Sequence, residues 1–282
     1  MDALPETYEQ AIEIAQKLKD AGVDCPLATD GHPWRVLEQF AARHNAPVAS
    51  NGNGFGGLNA EYVFNDGLTA QHMANLAQWR TDGLLKLDAD TRAGKYTDAF
   101  NAGECAMMEN STGGYGATFA ALGDKMITGL APMYAGVDRH NTLVGGASIW
   151  LMKGHDDADV TAAKAFLDFV RQANQQIEMT RITGYVPVTT DVLAAMQEQG
   201  LTNDPAFGSA ELGISSMEQP AGDNSRGIRL GFYVQFRDIF REETQKAFTG
   251  QQDMQTALNT AKKRGDELLR RFEQTYRGVD LP

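Results

Sequence analysis

Three places in the chain gather residue types suited to holding an anion or a polyol, and none gathers the groups of a covalent catalyst. In Asn110-Ser111-Thr112-Gly113-Gly114 a hydroxyl pair and two glycines separate a short apolar run from a helical pattern. Such a junction offers free backbone N–H groups and side-chain donors together, and it attracts phosphate or carboxylate. The plain alternative is a helix N-cap by Ser111 or Thr112. The same residues spell a glycosylation sequon, a pattern too short to weigh. Arg226, Arg229 and Arg237 cluster around the start of a long helical pattern, and on a continuous helix Arg229 and Arg237 would stand about two turns apart on nearby faces. A guanidinium is the natural bidentate partner of a phosphate; surface pairing with Asp238 or Glu242 is the competing reading. Trp34 is either a core anchor or an aromatic wall for a polyol or choline group. Tyr185, in Thr183-Gly184-Tyr185-Val186-Pro187, is either a displayed hydroxyl or a buried corner tyrosine.

The other reactive residues point away from catalysis. The five histidines, His32, His44, His72, His140 and His155, form no HxH or HExxH spacing, so no metal is expected. His155 beside Asp156, Asp157 and Asp159 reads as an acidic helix start. No GxSxG elbow or GxxxxGK[ST] loop occurs. Gly52, Gly54 and Gly57 spell GxGxxG, yet a strand-like Tyr62-Val63-Phe64 follows where a dinucleotide fingerprint needs a helix. A surface loop is expected there, and no cofactor. Cys25 and Cys105 fit no zinc or CxxC spacing and are expected as buried small hydrophobes, a single bridge being the lesser alternative.

The elements that position these residues follow from apolar spacing. Tyr8, Ala11, Ile12, Ala15 and Leu18 predict a helix from Thr7 to about Ala21, and Val23 to Thr29 a strand. Pro33 opens a second helix anchored by Trp34, Leu37, Phe40 and Ala41. Helices follow at Thr69–Thr81, Tyr96–Ala102 and Tyr115–Leu122, with a strand at Glu104–Glu109 leading into the Ser111 junction. Strands are also expected at Met126–Leu130 and Ala147–Met152, and a helix through Ala163, Phe166, Phe169 and Val170. Two long helical patterns close the chain, Phe232–Phe248 and Met254–Tyr276. Alternating helix and strand is the rhythm of an α/β protein.

Composition narrows the partners. In 282 residues, 25 basic side chains face 37 acidic ones, a formal charge of -12 that disfavours nucleic acid and anionic membrane surfaces. Residues 226–282 hold 11 of the basic side chains against 8 acidic ones, and residues 1–225 the other 14 against 29. An anion is therefore expected to bind near the C-terminal quarter. No apolar run reaches membrane-spanning length, and no export signal is read at Met1-Asp2-Ala3-Leu4.

In order along the chain, Gly103-Glu104-Cys105-Ala106-Met107, Gly145-Gly146-Ala147-Ser148-Ile149-Trp150, Ala165-Phe166-Leu167-Asp168-Phe169, Thr183-Gly184-Tyr185-Val186-Pro187, Gly227-Ile228-Arg229-Leu230-Gly231 and the run from Gly265 to Glu273 resemble the glycerol-3-phosphate-binding branch of the extracellular solute-binding proteins, family 1. The resemblance implies an α/β, two-lobed, periplasmic-binding-protein-like fold with most of the N-terminal lobe missing. In it, 1–142 and 191–282 would form the second lobe and 143–190 a remnant of the first. It implies no catalytic residue but a periplasmic binder that delivers sn-glycerol-3-phosphate or glycerophosphodiesters to the permease subunits of an ABC importer. A neutral-sugar or oligosaccharide binder and a non-binding truncated remnant are the alternatives. The family's ligand contacts fall on Trp34, Ser111, Gly146, Tyr185 and Arg237, with Thr112, Gly113 and Arg229 behind them. Without the first lobe's sheet, Ala147–Met152 and the Phe166/Phe169 helix would expose apolar surface.

Overall fold

The computed structural model describes residues 4–279. In chain order they form α1 (Tyr8–Asp20), β1 (Cys25–Ala28), a π-helical turn (Trp34–Gln39) running into α2 (Phe40–Arg43), the one-turn α3 (Ser50–Asn53), α4 (Gly67–Thr81), β2 (Leu85–Lys86), α5 (Tyr96–Asn101) and β3 (Cys105–Met108). Then come α6 (Tyr115–Leu122), α7 (Asp157–Val170), α8 (Ala173–Thr183), α9 (Thr190–Glu198), α10 (Gly208–Met217), α11 (Tyr233–Phe248) and α12 (Met254–Thr275).

The described residues divide into two compact units. The larger comprises Pro5–Glu109, Ala131–Leu143 and the chain from Glu218 onward; the smaller comprises Asn110–Leu130 and Val144–Met217, with Leu4. The smaller unit thus joins 110–130 and 191–217 to most of the 143–190 segment that the family resemblance sets apart. Compactness groups neighbours in space, whereas the expected boundaries refer to lobes of a longer protein.

The larger unit is built on a parallel sheet in the order β2-β1-β3, with Leu27 opposite both Leu85 and Met107. Its helices form for visible reasons. Thr7 caps α1 in a reciprocal pair with Gln10, and Asp253 caps α12 by accepting from the Thr256 N–H. Along α12, Ala257, Leu258, Ala261, Gly265, Leu268 and Leu269 recur at three- and four-residue spacing and bury one face against α11. Gly265 is required there. A Cβ would stand 2.7 Å from the Tyr62 ring and 2.8 Å from that of Phe236, which stack on each other at 3.9 Å.

Several expectations are corrected. Cys25 and Cys105 are register partners on neighbouring strands and form a disulfide; they are not free buried thiols. Their spacing of 80 residues concealed a contact that strand register creates. Met126–Leu130 and Ala147–Met152 are irregular, because no strand lies beside either among the described residues to complete a ladder. The Tyr62–Phe64 strand reduces to one bridge, Ala49 to Tyr62. The glycine-rich stretch is a tight turn rather than a free surface loop: Asn53 and Gly54 are buried, and a Cβ on Gly54 would meet the Arg229 carbonyl at 2.3 Å.

The smaller unit has a small core of Val192, Met196, Phe207 and Ala210. Its helices approach closely through glycines: a Cβ on Gly116 would lie 2.1 Å from the Ile182 carbonyl. Much of its apolar side-chain surface faces out, including Val144, Ile149, Trp150, Met152, Phe166 and Phe169, as expected from the sequence.

Candidate functional site

The expected contact residues assemble as two groups, one in each unit. In the larger unit, the π-helical turn and α11 bring Trp34 and Arg237 together. The carboxylate between them, Glu38, is one the sequence did not single out. Arg237 Nε donates to Glu38 Oε1 at 2.7 Å and Nη2 to Oε2 at 2.6 Å, a bidentate pair. Glu38 is only 3% exposed while the Arg237 side chain keeps 34% exposure, so the pair closes the interior and leaves the guanidinium at the surface. The guanidinium carbon stands 5.7 Å from the Trp34 ring centroid and 5.5 Å from that of Tyr233, within cation–π range of both. The hydrogen bonds to Glu38 hold the Arg237 charge more firmly than usual. Burial, then the Glu38 charge, pushes the Tyr233 phenol well above its ordinary range.

The surface partners expected for Arg237 are engaged elsewhere: Asp238 pairs with Arg241, and Glu242 with Lys246 and Arg264. Glu38 lies 199 residues from Arg237 in sequence. Trp34 to Glu38 and Tyr233 to Arg237 are both four-residue steps on helical segments, the one signal that could have paired them. Next to the group, His32 accepts the Trp34 N–H at 3.1 Å, and burial followed by the Arg237 charge lowers its pKa. The Arg229 N–H donates to the Asn53 carbonyl at 2.9 Å and pins the Asn53-Gly54 turn.

In the smaller unit, Ser111, Thr112, Gly113, Gly146 and Tyr185 come together. The Tyr185 ring lies against both glycines: a Cβ on Gly113 would stand 3.3 Å from it and one on Gly146 3.2 Å. Gly146 also has φ of +135°, which side-chain-bearing residues rarely adopt. Gly184 ends α8 in the left-handed conformation, and its α-carbon approaches the Thr112 carbonyl so closely that a Cβ would be 2.2 Å away. This contact sets the Tyr185 turn beside the junction. The Ser111 hydroxyl accepts the Gly113 N–H at 3.2 Å, so the serine caps the 3-10 turn Thr112–Gly114 ahead of α6. The exposed hydroxyl retains its own proton for donation.

The chain reaches this junction from β3 through Glu109, in the larger unit. Its carboxylate accepts from Arg43 at 3.0 Å and from the Tyr8 hydroxyl at 3.0 Å, and Arg43 also donates to that hydroxyl. Gln39, one residue beyond Glu38, holds Leu143 through a reciprocal pair of hydrogen bonds, 2.8 Å to its carbonyl and 3.0 Å from its N–H. Among the described residues there is no group of three metal-ligating side chains and no helix long and apolar enough to cross a membrane. His155 and Asp159 face each other at 4.0 Å on the surface.

The larger unit thus presents a one-third exposed arginine near two aromatic rings, and the smaller unit a hydroxyl-glycine junction beside a tyrosine, each a kind of group that can contact a solute. The model of the bacterial extracellular solute-binding protein family matches residues 1–209, and the chain belongs to that family, whose members bind solutes and are not enzymes. Among curated proteins, it is 32% identical over 267 residues to the sn-glycerol-3-phosphate-binding periplasmic protein UgpB of Rhizobium meliloti, covering 94% of this chain and 61% of that protein. It is 33% identical over 274 residues to the protein of the same name in Escherichia coli, covering 96% and 62%. The chain thus spans about three fifths of the length of these relatives. Among solved structures, maltose-bound MalE3 of T. maritima superposes with a TM-score of 0.72 at 17% identity, over 96% of this chain and 66% of that one. The sugar-binding protein MalE of Xanthomonas citri gives 0.71 at 15% identity, over 99% and 67%. These likenesses establish the fold as part of a periplasmic-binding-protein architecture.

Proposed function

We propose that this chain contributes ligand contacts to the solute-binding component of an ABC importer for sn-glycerol-3-phosphate and related glycerophosphodiesters, delivering them to membrane permease subunits. Residues 1–142 and 191–282 would correspond to the second lobe of the longer relatives and 143–190 to a segment of the first. The observation that carries the reading is the Arg237 guanidinium, fixed by Glu38, ringed by Trp34 and Tyr233, and still open to solvent. A phosphate takes such a group bidentately. Trp34 would pack on the carbon skeleton. Ser111, Gly146 and Tyr185 are proposed as further ligand contacts, with Thr112, Gly113 and Arg229 in supporting places. The names of relatives 31–33% identical to the chain support the ligand class. The Cys25–Cys105 disulfide, sealed in the sheet, supports an oxidising compartment such as the periplasm.

A thermal-shift titration with glycerol-3-phosphate, with glycerol as control, tests this, since a ligand that binds only the folded state raises the melting temperature with concentration. A phosphate-dependent rise that disappears in Arg237→Ala is expected. A rise that persists in the variant would refute the role of Arg237. One observation favours a second reading: Glu38 cancels the Arg237 charge, which suits an uncharged polyol as well. An equal response to a neutral sugar would support that reading.

A further inference from the structure

Glu38 is a carboxylate at 3% exposure, and acids that deep in a protein are rare unless paired. Both of its oxygens face Arg237, taking the Nε–H and one Nη2–H, which is one whole edge of the guanidinium plane. The second edge, made by Nη1 and the other Nη2 hydrogen, has no hydrogen-bond partner among the described residues, and it belongs to a side chain that is one-third exposed. The rings of Trp34 and Tyr233 restrain the same plane.

We infer that Glu38 is the positioning residue of the site, acting on a ligand through Arg237 alone. It fixes one fork of the guanidinium inside the protein and turns the other outward, for an anion that accepts two N–H groups from one side. The inference rests on the reading of Arg237 as an anion contact. Orientation and charge make opposite demands here. Removing the Glu38 charge raises the local positive potential and by itself would strengthen anion binding. The amide of Glu38→Gln keeps one acceptor and sets an NH2 donor against the other N–H, which breaks the two-pronged clamp, frees a long side chain and by itself would weaken anion binding, by about tenfold. The sign of the change therefore separates a positioning role from a charge-balancing one.

The test uses the whole chain in four forms: wild type, Glu38→Gln, Arg237→Ala and the double variant. Glycerol-3-phosphate is titrated up to millimolar concentration with NMR detection. Glu38→Gln is expected to bind about tenfold more weakly than wild type, and the double variant no more weakly than Arg237→Ala. Unchanged or tighter binding in Glu38→Gln overturns the inference, as does a further loss in the double variant. A second readout needs no ligand. The Arg237 Nε–H resonance, assigned by its disappearance in Arg237→Lys, is expected to exchange with water at least tenfold more slowly than exposed arginines in wild type, and to lose that protection in Glu38→Gln. If wild type does not bind glycerol-3-phosphate, the ligand reading falls and this exchange rate decides the clamp: retained protection in Glu38→Gln overturns it, and lost protection supports it. Should Glu38→Gln melt below the measuring temperature, Glu38→Asp tests positioning alone, since it keeps the charge while withdrawing the carboxylate by one methylene: weaker binding and lost Nε–H protection support the inference, and unchanged binding overturns it.

Discussion

Opening the Cys25–Cys105 bridge should destabilise the larger unit far more than an ordinary core substitution. The bridge closes a loop of 80 residues that holds α1's successor strand, α4, β2 and α5. In the chain-entropy model a loop of that length restricts the unfolded ensemble by about 4.5 kcal/mol, and removal of native disulfides typically costs about 2–5 kcal/mol. For a unit of this size each kcal/mol moves the melting temperature by roughly 2–4 °C, so a drop of about 10 °C or more is expected. Urea unfolding of the oxidised protein, the dithiothreitol-reduced protein and a Cys25→Ala/Cys105→Ala variant would be followed by tryptophan fluorescence. The two bridge-free forms should unfold at lower urea with a steeper dependence, because an unrestrained chain exposes more surface. Two results would refute the reasoning: thiols titratable in the native protein, which would deny the bridge, or an unfolding free energy within about 1 kcal/mol of that of the oxidised form, which would deny its weight.

Acid should weaken the larger unit well above the carboxylate range. His44 accepts the Tyr134 N–H at Nε2 and contacts the Phe40 carbonyl at 2.8 Å through Nδ1, and burial followed by the Arg43 charge lowers its pKa to about 3. His72 is likewise held well below its ordinary value by burial and by Arg43. The unfolded chain binds these protons more readily, so stability is intact above about pH 6.5 and falls on acidification; His44 alone loses about 2 kcal/mol between pH 7 and 5. Urea midpoints at the two pH values check this, and a His44→Gln variant should reduce the difference, leaving the part that His72 contributes. The apolar surface of the smaller unit, where Trp150 is 82% exposed and Val188 79%, predicts self-association and binding of a hydrophobic dye. A sharp monomer by light scattering without dye fluorescence would count against it.

How much was legible in the sequence depended on whether the signal was local. α1, α4, α11 and α12 were readable because each buries one face through apolar residues at three- and four-residue spacing. α8, α9 and α10 went unread because residues 173–217 mix small and polar side chains around a core of only a few apolar residues. Trp34, Arg237 and the Ser111 junction stood out by residue type. Glu38 did not, since a glutamate in a helical pattern reads as a solvated face until the partner arrives from far along the chain. The disulfide was hidden for the same reason, as was the packing of Gly54 beneath Arg229. The segment Ala147–Met152 has a strand's composition without a strand's neighbour, and composition alone supplies no ladder.

Arg237 lies on α11 between Phe236 and Phe240, both fully buried against Tyr62, Phe64 and, through Gly265, α12. The surface that would meet a ligand is therefore the outer side of the core's own girder, and the two cannot be tuned independently. Directed evolution of this chain toward new ligands would meet a ruggedness set by packing. Changes at Tyr62 or Gly265, remote from any solute, would shift the arginine as surely as changes beside it, while altered specificity would be easier to reach through Trp34 and the loops than through the helix that carries the charge.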